Sequence, residues 1–335
     1  MSRILGLGTA LPCHRVTPDA GREALQNVFR RLRGVEWPPV TRYTAEPLER
    51  VLAPRGLGDA MAVYAREAPR LAADAALRAL EAAGVEAGDL DVVISVSCTG
   101  YLVPSLDVRL MEVLGLRGDV IRLPVTELGC SGGLAALAAA HRHLLGSPRD
   151  RVLVVAVELC SLAFQPQDRS LDNLTASMVF GDGAAAAVLD GGPAPPGQLE
   201  VVATGSLVIP GSTRLLGFDL RDSGFHVVLD PGLARLIGAR LPAAVAAFRA
   251  RHGLGEPAFH LVHAGGPRIF DAVEASLGLA PEALAASRAL FCEMGNVSSA
   301  SILFGLRRLD GVAGDGLALA FGPGVTVELA WVRGA

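Results

Sequence analysis

VIRLPVTELGC (120–130), followed at once by SGGLAALAAAHRHLLG (131–146) and, past Ser147–Asp150, by RVLVVAVELC (151–160), is the stretch that decides the fold class. The outer two segments are apolar and rich in β-branched residues, so they read as buried strands, the first running up to Gly129-Cys130. The middle segment is alanine-rich, has small residues on its first turn and ends at a glycine, so it reads as a helix. Strand, helix and strand in succession is the unit of a parallel sheet with crossover helices.

The same alternation extends both ways. RLAADAALRALEAAG (70–84) has helical composition and stops at Gly84, and DVVISVSCTG (91–100) reads as a buried strand entering a loop. PSLDVRLMEVLGL (104–116) reads as an amphipathic helix with Pro104 at its start. FGDGAAAAVLD (180–190) turns into another strand, and GGPAPPG (191–197) is the strongest punctuation in the chain. Beyond it come LEVVATGSLVI, GFHVVL, a helix over 232–250, FHLVHAGG, a helix around 268–278 and the closing strands LALAFGPGVTVELAWV. The class is therefore α/β, divided into halves at 1–195 and 196–335.

Composition narrows the chemistry. The chain has 335 residues, 51% of them hydrophobic and 19% charged, which suits a large folded core and not a disordered segment. No apolar run reaches the ~18 residues of a membrane span. The first residues, MSRILGLGTA, read as a strand and not as a leader, so a cytoplasmic location is expected. The net charge is −4, with no basic patch interleaved with aromatics, which argues against nucleic acid as a partner. Every basic residue is arginine, so lysine Schiff-base and phosphate-loop chemistry are excluded. The cysteines, Cys13, Cys98, Cys130, Cys160 and Cys292, are odd in number and form no CxxC pair. A disulfide framework and a zinc knuckle are not expected. No metal or redox cofactor is implied.

Three residues stand where chemistry could be done. Cys130 closes a strand and opens a helix, where the positive end of the helix dipole favours a thiolate, and Ser131, Gly132 and Gly133 admit a substrate close to the backbone. Its alternative is an ordinary buried core cysteine. His263 is delivered by an apolar strand to Gly265-Gly266, where an imidazole can pair with a thiol or donate to an oxyanion. A structural histidine is its alternative. Asn296 sits in GNVSS, a tight turn opening a helix, where it is either an N-cap or a neutral donor.

These residues fall in three of six motifs along the chain: CTGYLVPSLD (98–107), ELGCSGG (127–133), FGDGAAAAVL (180–189), HAGGP (263–267), GNVSSAS (295–301) and FGPGVTVE (321–328). On them the chain, from about residue 60 to its end, resembles type III polyketide synthases, the chalcone synthase-like branch of the thiolase-fold condensing enzymes. The resemblance implies a thiolase fold, two similar βα halves packed as a layered αβαβα core. It implies Cys130 as the nucleophile carrying the starter and the growing chain. His263 would hold Cys130 as a thiolate and, with Asn296, bind the thioester carbonyl of malonyl-CoA.

Other positions follow from the same resemblance. Phe180 falls at a gatekeeper position. The second gatekeeper falls in GFHVVL (224–229), on either Phe225 or Val227. Cys98 matches a residue lining the starter pocket. Among Arg30, Arg31 and Arg33, Arg31 best matches a CoA-binding position, and Arg268 stands near the expected tunnel mouth. Family members are homodimers in which a side chain corresponding to Val103 enters the partner's cavity. The implied substrates are an acyl-CoA starter and malonyl-CoA, with no cofactor. VELCSLAFQ (157–165) and LGCSGG point to bacterial relatives that build alkylpyrones or alkylresorcinols from fatty acyl starters. A malonyl-primed tetrahydroxynaphthalene-type synthase, a one-cycle ketoacyl synthase III-like enzyme and a non-enzymatic thiolase-fold partner protein are the alternatives.

Overall fold

Alternate residues of the central strands face different layers, and this alternation builds the molecule. The computed structural model describes residues 1–29, 37–195, 197–309 and 311–334. The first half runs β1 (Ser2–Ala10), β2 (His14–Val16), α1 (Pro18–Val28), β3 (Arg42–Thr44), α2 (Leu48–Val51), α3 (Leu57–Ala83), β4 (Val92–Val96), α4 (Leu106–Leu114), β5 (Ile121–Val125), α5 (Gly132–Gly146), β6 (Val152–Leu159), α6 (Leu171–Val179) and β7 (Asp182–Asp190). The second runs β8 (Leu199–Val208), β9 (Leu216–Arg221), β10 (Gly224–Leu229), α7 (Leu233–His252), β11 (Phe259–Val262), α8 (Pro267–Leu277), α9 (Ala285–Met294), α10 (Ser301–Arg307), β12 (Gly314–Gly322) and β13 (Thr326–Gly334).

Among the described residues, nine strands hydrogen-bond in the order β11-β12-β13-β8-β1-β7-β6-β4-β5. The two halves meet where β1 pairs with β8 through only Ser2–Val201 and Arg3–Glu200. On β6, Val152, Val154 and Ala156 point into a core shared with α5, α10 and strands of the second half. Leu153, Val155 and Val157 point the other way, against α3 and α4. In the second half, Leu317, Leu319 and Trp331 face α7 and α8. The layers are thus helix, sheet, helix, sheet, helix, with α5 and α10 in the middle. This is the α/β arrangement expected from the alternation of segments.

Three boundaries differ from the sequence reading. The helix expected over 70–84 begins at Leu57. The helix expected from Pro104 begins at Leu106, with Ser105 in the N-cap position. The strand expected to reach Cys130 stops at Val125; a turn follows, Gly129 lies in the left-handed region (φ 52°), and the chain tightens into a 3-10 turn over Gly129–Ser131. β5 lies at a sheet edge, where Pro124 forfeits no ladder bond on its open side.

Strand β1 lies backbone to backbone on α3. A Cβ at Gly8 would stand 2.1 Å from the Ala75 carbonyl oxygen. Overpacking typically costs about 1–3 kcal/mol. Gly8→Val is expected to lose at least that much in urea unfolding, whereas Gly88→Ala, with open space around its position, stays within about 0.5 kcal/mol of wild type. Equal stability of the two variants would contradict this packing.

Candidate active site

Cys130 is held on its turn between the two halves. A Cβ at Gly129 would collide with the Pro323 ring at 2.4 Å, and one at Gly133 with the Ser299 carbonyl oxygen at 2.1 Å. The thiol lines a cavity of about 950 Å³ including its mouth. Burial pushes the Cys130 thiol up to about 11, and hydrogen bonding with Ser298 and Asn296 offsets only part of this. Desolvation thus favours the neutral thiol, against the thiolate that the start of a helix favours.

Asn296 approaches Cys130. Its Nδ2 lies 4.0 Å from Sγ, and its Oδ1 accepts from the Ser298 N–H at 2.8 Å and from Ser301 Oγ at 3.4 Å. Those two donors fix the amide so that its NH₂ end turns toward the sulfur. The N-cap alternative for Asn296 does not hold, since Ala300 is in the N-cap position of α10. Backbone bonds tie Asn296 to the Phe180 segment, from Asn296 N–H to the Val179 carbonyl (2.7 Å) and from Gly181 N–H to the Asn296 carbonyl (3.0 Å). Phe180, which lines the cavity, is thereby joined to Asn296 through the backbone.

His263 follows the end of β11 and is 4% exposed. The Phe321 N–H donates to its Nδ1 at 3.4 Å. A backbone N–H can only donate, so a neutral ring carries its proton on Nε2. Nε2 faces Gly265, whose absent Cβ would lie 3.0 Å away, and burial lowers the ring to about 4. The imidazole is a neutral donor at physiological pH. Phe321, Gly322 and Pro323 connect the two groups: Phe321 packs edge-on against the ring, while Pro323 presses on Gly129.

The other expected residues divide. Cys98 lines the cavity, with Sγ 3.4 Å from Ser298 Oγ and 3.5 Å from Glu158 Oε2, and its pKa is raised well above the usual thiol value by burial. Val227 lines the cavity and Phe225 does not. Both side chains share a face of the β9–β10 hairpin, but Phe225 lies nearer its turn, stacked on Tyr101 at 6.0 Å and edge-on to Phe218 at 5.5 Å. Phe225 is thus corrected from the cavity wall to a packing position. Val103 is 99% exposed and lies off the cavity wall of its own chain. Gly266 precedes α8, and Arg268 is exposed on its first turn. Arg30, Arg31 and Arg33 lie outside the described residues.

Sequence reasoning missed several groups. Cys160 brings a third thiol to the cavity. Glu158 is fully buried and accepts from the Cys98 N–H (3.0 Å) and Thr99 Oγ1 (2.8 Å). Gln165 Nε2 donates to the carbonyls of Ser223 (3.1 Å) and Phe225 (3.3 Å), and Asp172 accepts from the Leu229 N–H (2.9 Å). These bonds hold the β9–β10 hairpin, which is outside the main sheet, against the cavity. A glutamine six residues past an apolar strand carries no signal of such a role.

A raised thiol gives a definite pH behaviour. Alkylation of Cys130 by iodoacetamide in the free enzyme is expected to climb about tenfold per pH unit from pH 7 toward 10, since thiolate is the nucleophile. A plateau below pH 8 would reveal a thiolate–imidazolium pair instead.

Comparison with known proteins places the chain in a family. The chain matches the family models of the N-terminal domain (residues 49–193) and the C-terminal domain (residues 200–335) of chalcone and stilbene synthases. It is 38% identical to a 1,3,6,8-tetrahydroxynaphthalene synthase of Streptomyces coelicolor over 86% of this chain and 78% of that protein. It is 33% identical to a phloroglucinol synthase of Pseudomonas fluorescens over 86% and 84%. The crystal structure of the tetrahydroxynaphthalene synthase of Streptomyces coelicolor, a bacterial type III polyketide synthase, superposes with a TM-score of 0.91 over 99% of both chains at 34% identity. With a thiolase-like layered fold and matches across both halves, this chain belongs to the chalcone and stilbene synthases, the type III polyketide synthase family.

Proposed function

We propose that this enzyme condenses malonyl-CoA iteratively on Cys130, using it as starter as well as extender, and closes the chain to a polyhydroxylated aromatic product of the tetrahydroxynaphthalene type. One observation carries the chemistry: the Asn296 amide is fixed toward the Cys130 sulfur at the wall of a cavity with few polar surfaces. Cys130 takes the acyl group by transthioesterification, its proton leaving with the CoA thiol. Asn296 Nδ2–H and His263 Nε2–H then hold the thioester carbonyl of the next malonyl-CoA. Loss of CO₂ leaves the electron pair as an enolate, and each preorganised donor stabilises the oxyanion by about 3 kcal/mol. The enolate carbon attacks the Cys130 thioester, forms the new C–C bond and frees the sulfur. No separate base is required.

The relatives named as tetrahydroxynaphthalene and phloroglucinol synthases support the choice of product class. A fatty acyl starter, leading to an alkylpyrone or alkylresorcinol, is the second reading. The apolar cavity wall formed by Leu25, Leu48, Val51 and Leu52 favours it. A homodimer with Val103 entering the partner's cavity belongs to the same proposal. The exposed apolar side chains of Tyr101, Val103, Ile121 and Leu123 support it.

Incubation with malonyl-CoA alone is expected to release CO₂ and yield one aromatic product containing several two-carbon units, unchanged when hexanoyl-CoA is added. Turnover only with hexanoyl-CoA, and a product retaining its chain, would overturn the malonyl-primed reading in favour of the acyl-primed one. A single extension would contradict iteration.

A further inference from the structure

Among the described residues lining the cavity, Arg42 is the only charged one. It projects from β3 and is 8% exposed. Its Nη1 donates to the Ser177 carbonyl in the last turn of α6, while its Nε is buried without a hydrogen-bond partner. No acidic group acts on it among the described residues, and burial alone lowers its pKa, to about 10. The nearby Arg55 shows the usual solution, an ion pair with Glu46 at 2.8 Å. The Ser177 carbonyl and the helix dipole behind it offset only part of the cost of burying a guanidinium. The Arg42 stem is also wedged between functional segments. A Cβ at Gly295, next to Asn296, would lie 3.1 Å from its Cγ, and one at Gly181, next to Phe180, 3.5 Å from its Cβ.

We propose that Arg42 is an anion-binding residue of the reaction cavity and that its ligand is an oxyanion of the incoming acyl-CoA. A buried guanidinium without a counter-ion among the described residues, at the wall of a chamber whose other described residues are uncharged, is completed when a substrate brings the missing negative charge. Two parts of malonyl-CoA supply one, the malonyl carboxylate and the CoA phosphates. An ion pair with either stabilises bound substrate; a phosphate pair is kept in the transition state and a carboxylate pair weakens as CO₂ leaves, so in both cases its loss raises KM without lowering kcat. The inference rests on the reading that malonyl thioesters enter this cavity, and CO₂ release from malonyl-CoA by the wild-type enzyme tests that reading separately.

The test compares wild type with Arg42→Gln on three ligands. Decarboxylation is followed for malonyl-CoA and for malonyl-N-acetylcysteamine, which has the carboxylate without the phosphates. Inhibition of that decarboxylation is followed for free CoA, which has the phosphates without the carboxylate. Loss of a charge-assisted pair is expected to raise the affected KM or inhibition constant about tenfold or more. A rise for both malonyl thioesters but not for CoA identifies the carboxylate as ligand. A rise for malonyl-CoA and CoA but not for the N-acetylcysteamine ester identifies a phosphate. Unchanged constants for all three, or a fall in kcat alone, would overturn the proposal and leave Arg42 as a structural cap of α6. Inhibition of the wild type keeps the question open to test even where the variant does not fold. Malonate is expected to compete with malonyl-CoA and neutral malonamide is not; equal inhibition by the two would also overturn the proposal.

Discussion

Close backbone contact around Cys130 is the constraint on which the site depends. The nucleophile turn is gripped by β12's end on one side and by the turn before α10 on the other. A Cβ at Gly129, Gly133 or Gly322 would meet Pro323, Ser299 or Ser131 within 2.4 Å. Only glycine at these positions lets the two halves close on the thiol. The motifs GCSGG, GNVSSAS and FGPG are therefore parts of one contact, though up to 195 residues separate its members in sequence, as in the Ser131–Thr326 hydroxyl pair.

That contact also sets the electrostatics. Held between the halves, Cys130 and His263 both lose water, and both are driven to their neutral forms. A neutral imidazole with its proton on Nε2 and a neutral amide are a matched pair of donors. In a water-poor site they act on a developing oxyanion more strongly than they would in bulk solvent. The arrangement asks little of acid–base exchange and much of preorganisation.

The fold class was legible because apolar strands alternate with alanine-rich helices, and Cys130, His263 and Asn296 stood out as candidates because each stands in a small-residue turn. What stayed hidden was hidden for physical reasons. Apolar continuity does not mark where β5 ends: the strand stops at Val125 and a turn over Glu127–Leu128 leads to Gly129. Periodicity cannot tell Phe225 from Val227, which share a face and differ only in their distance from the hairpin turn. Gln165, Asp172 and Arg42 act through bonds to backbone atoms distant in sequence, and such bonds leave no local pattern.

Three thiols face one cavity, so the central claim, that Cys130 carries the chain, meets its most direct test in mapping the acyl group. Acid quench during turnover with isotopically labelled malonyl-CoA, followed by peptide mass analysis, is predicted to place the label on the peptide containing Cys130, with Cys98 and Cys160 unmodified. Label on Cys98 or Cys160 with Cys130 free would contradict the account.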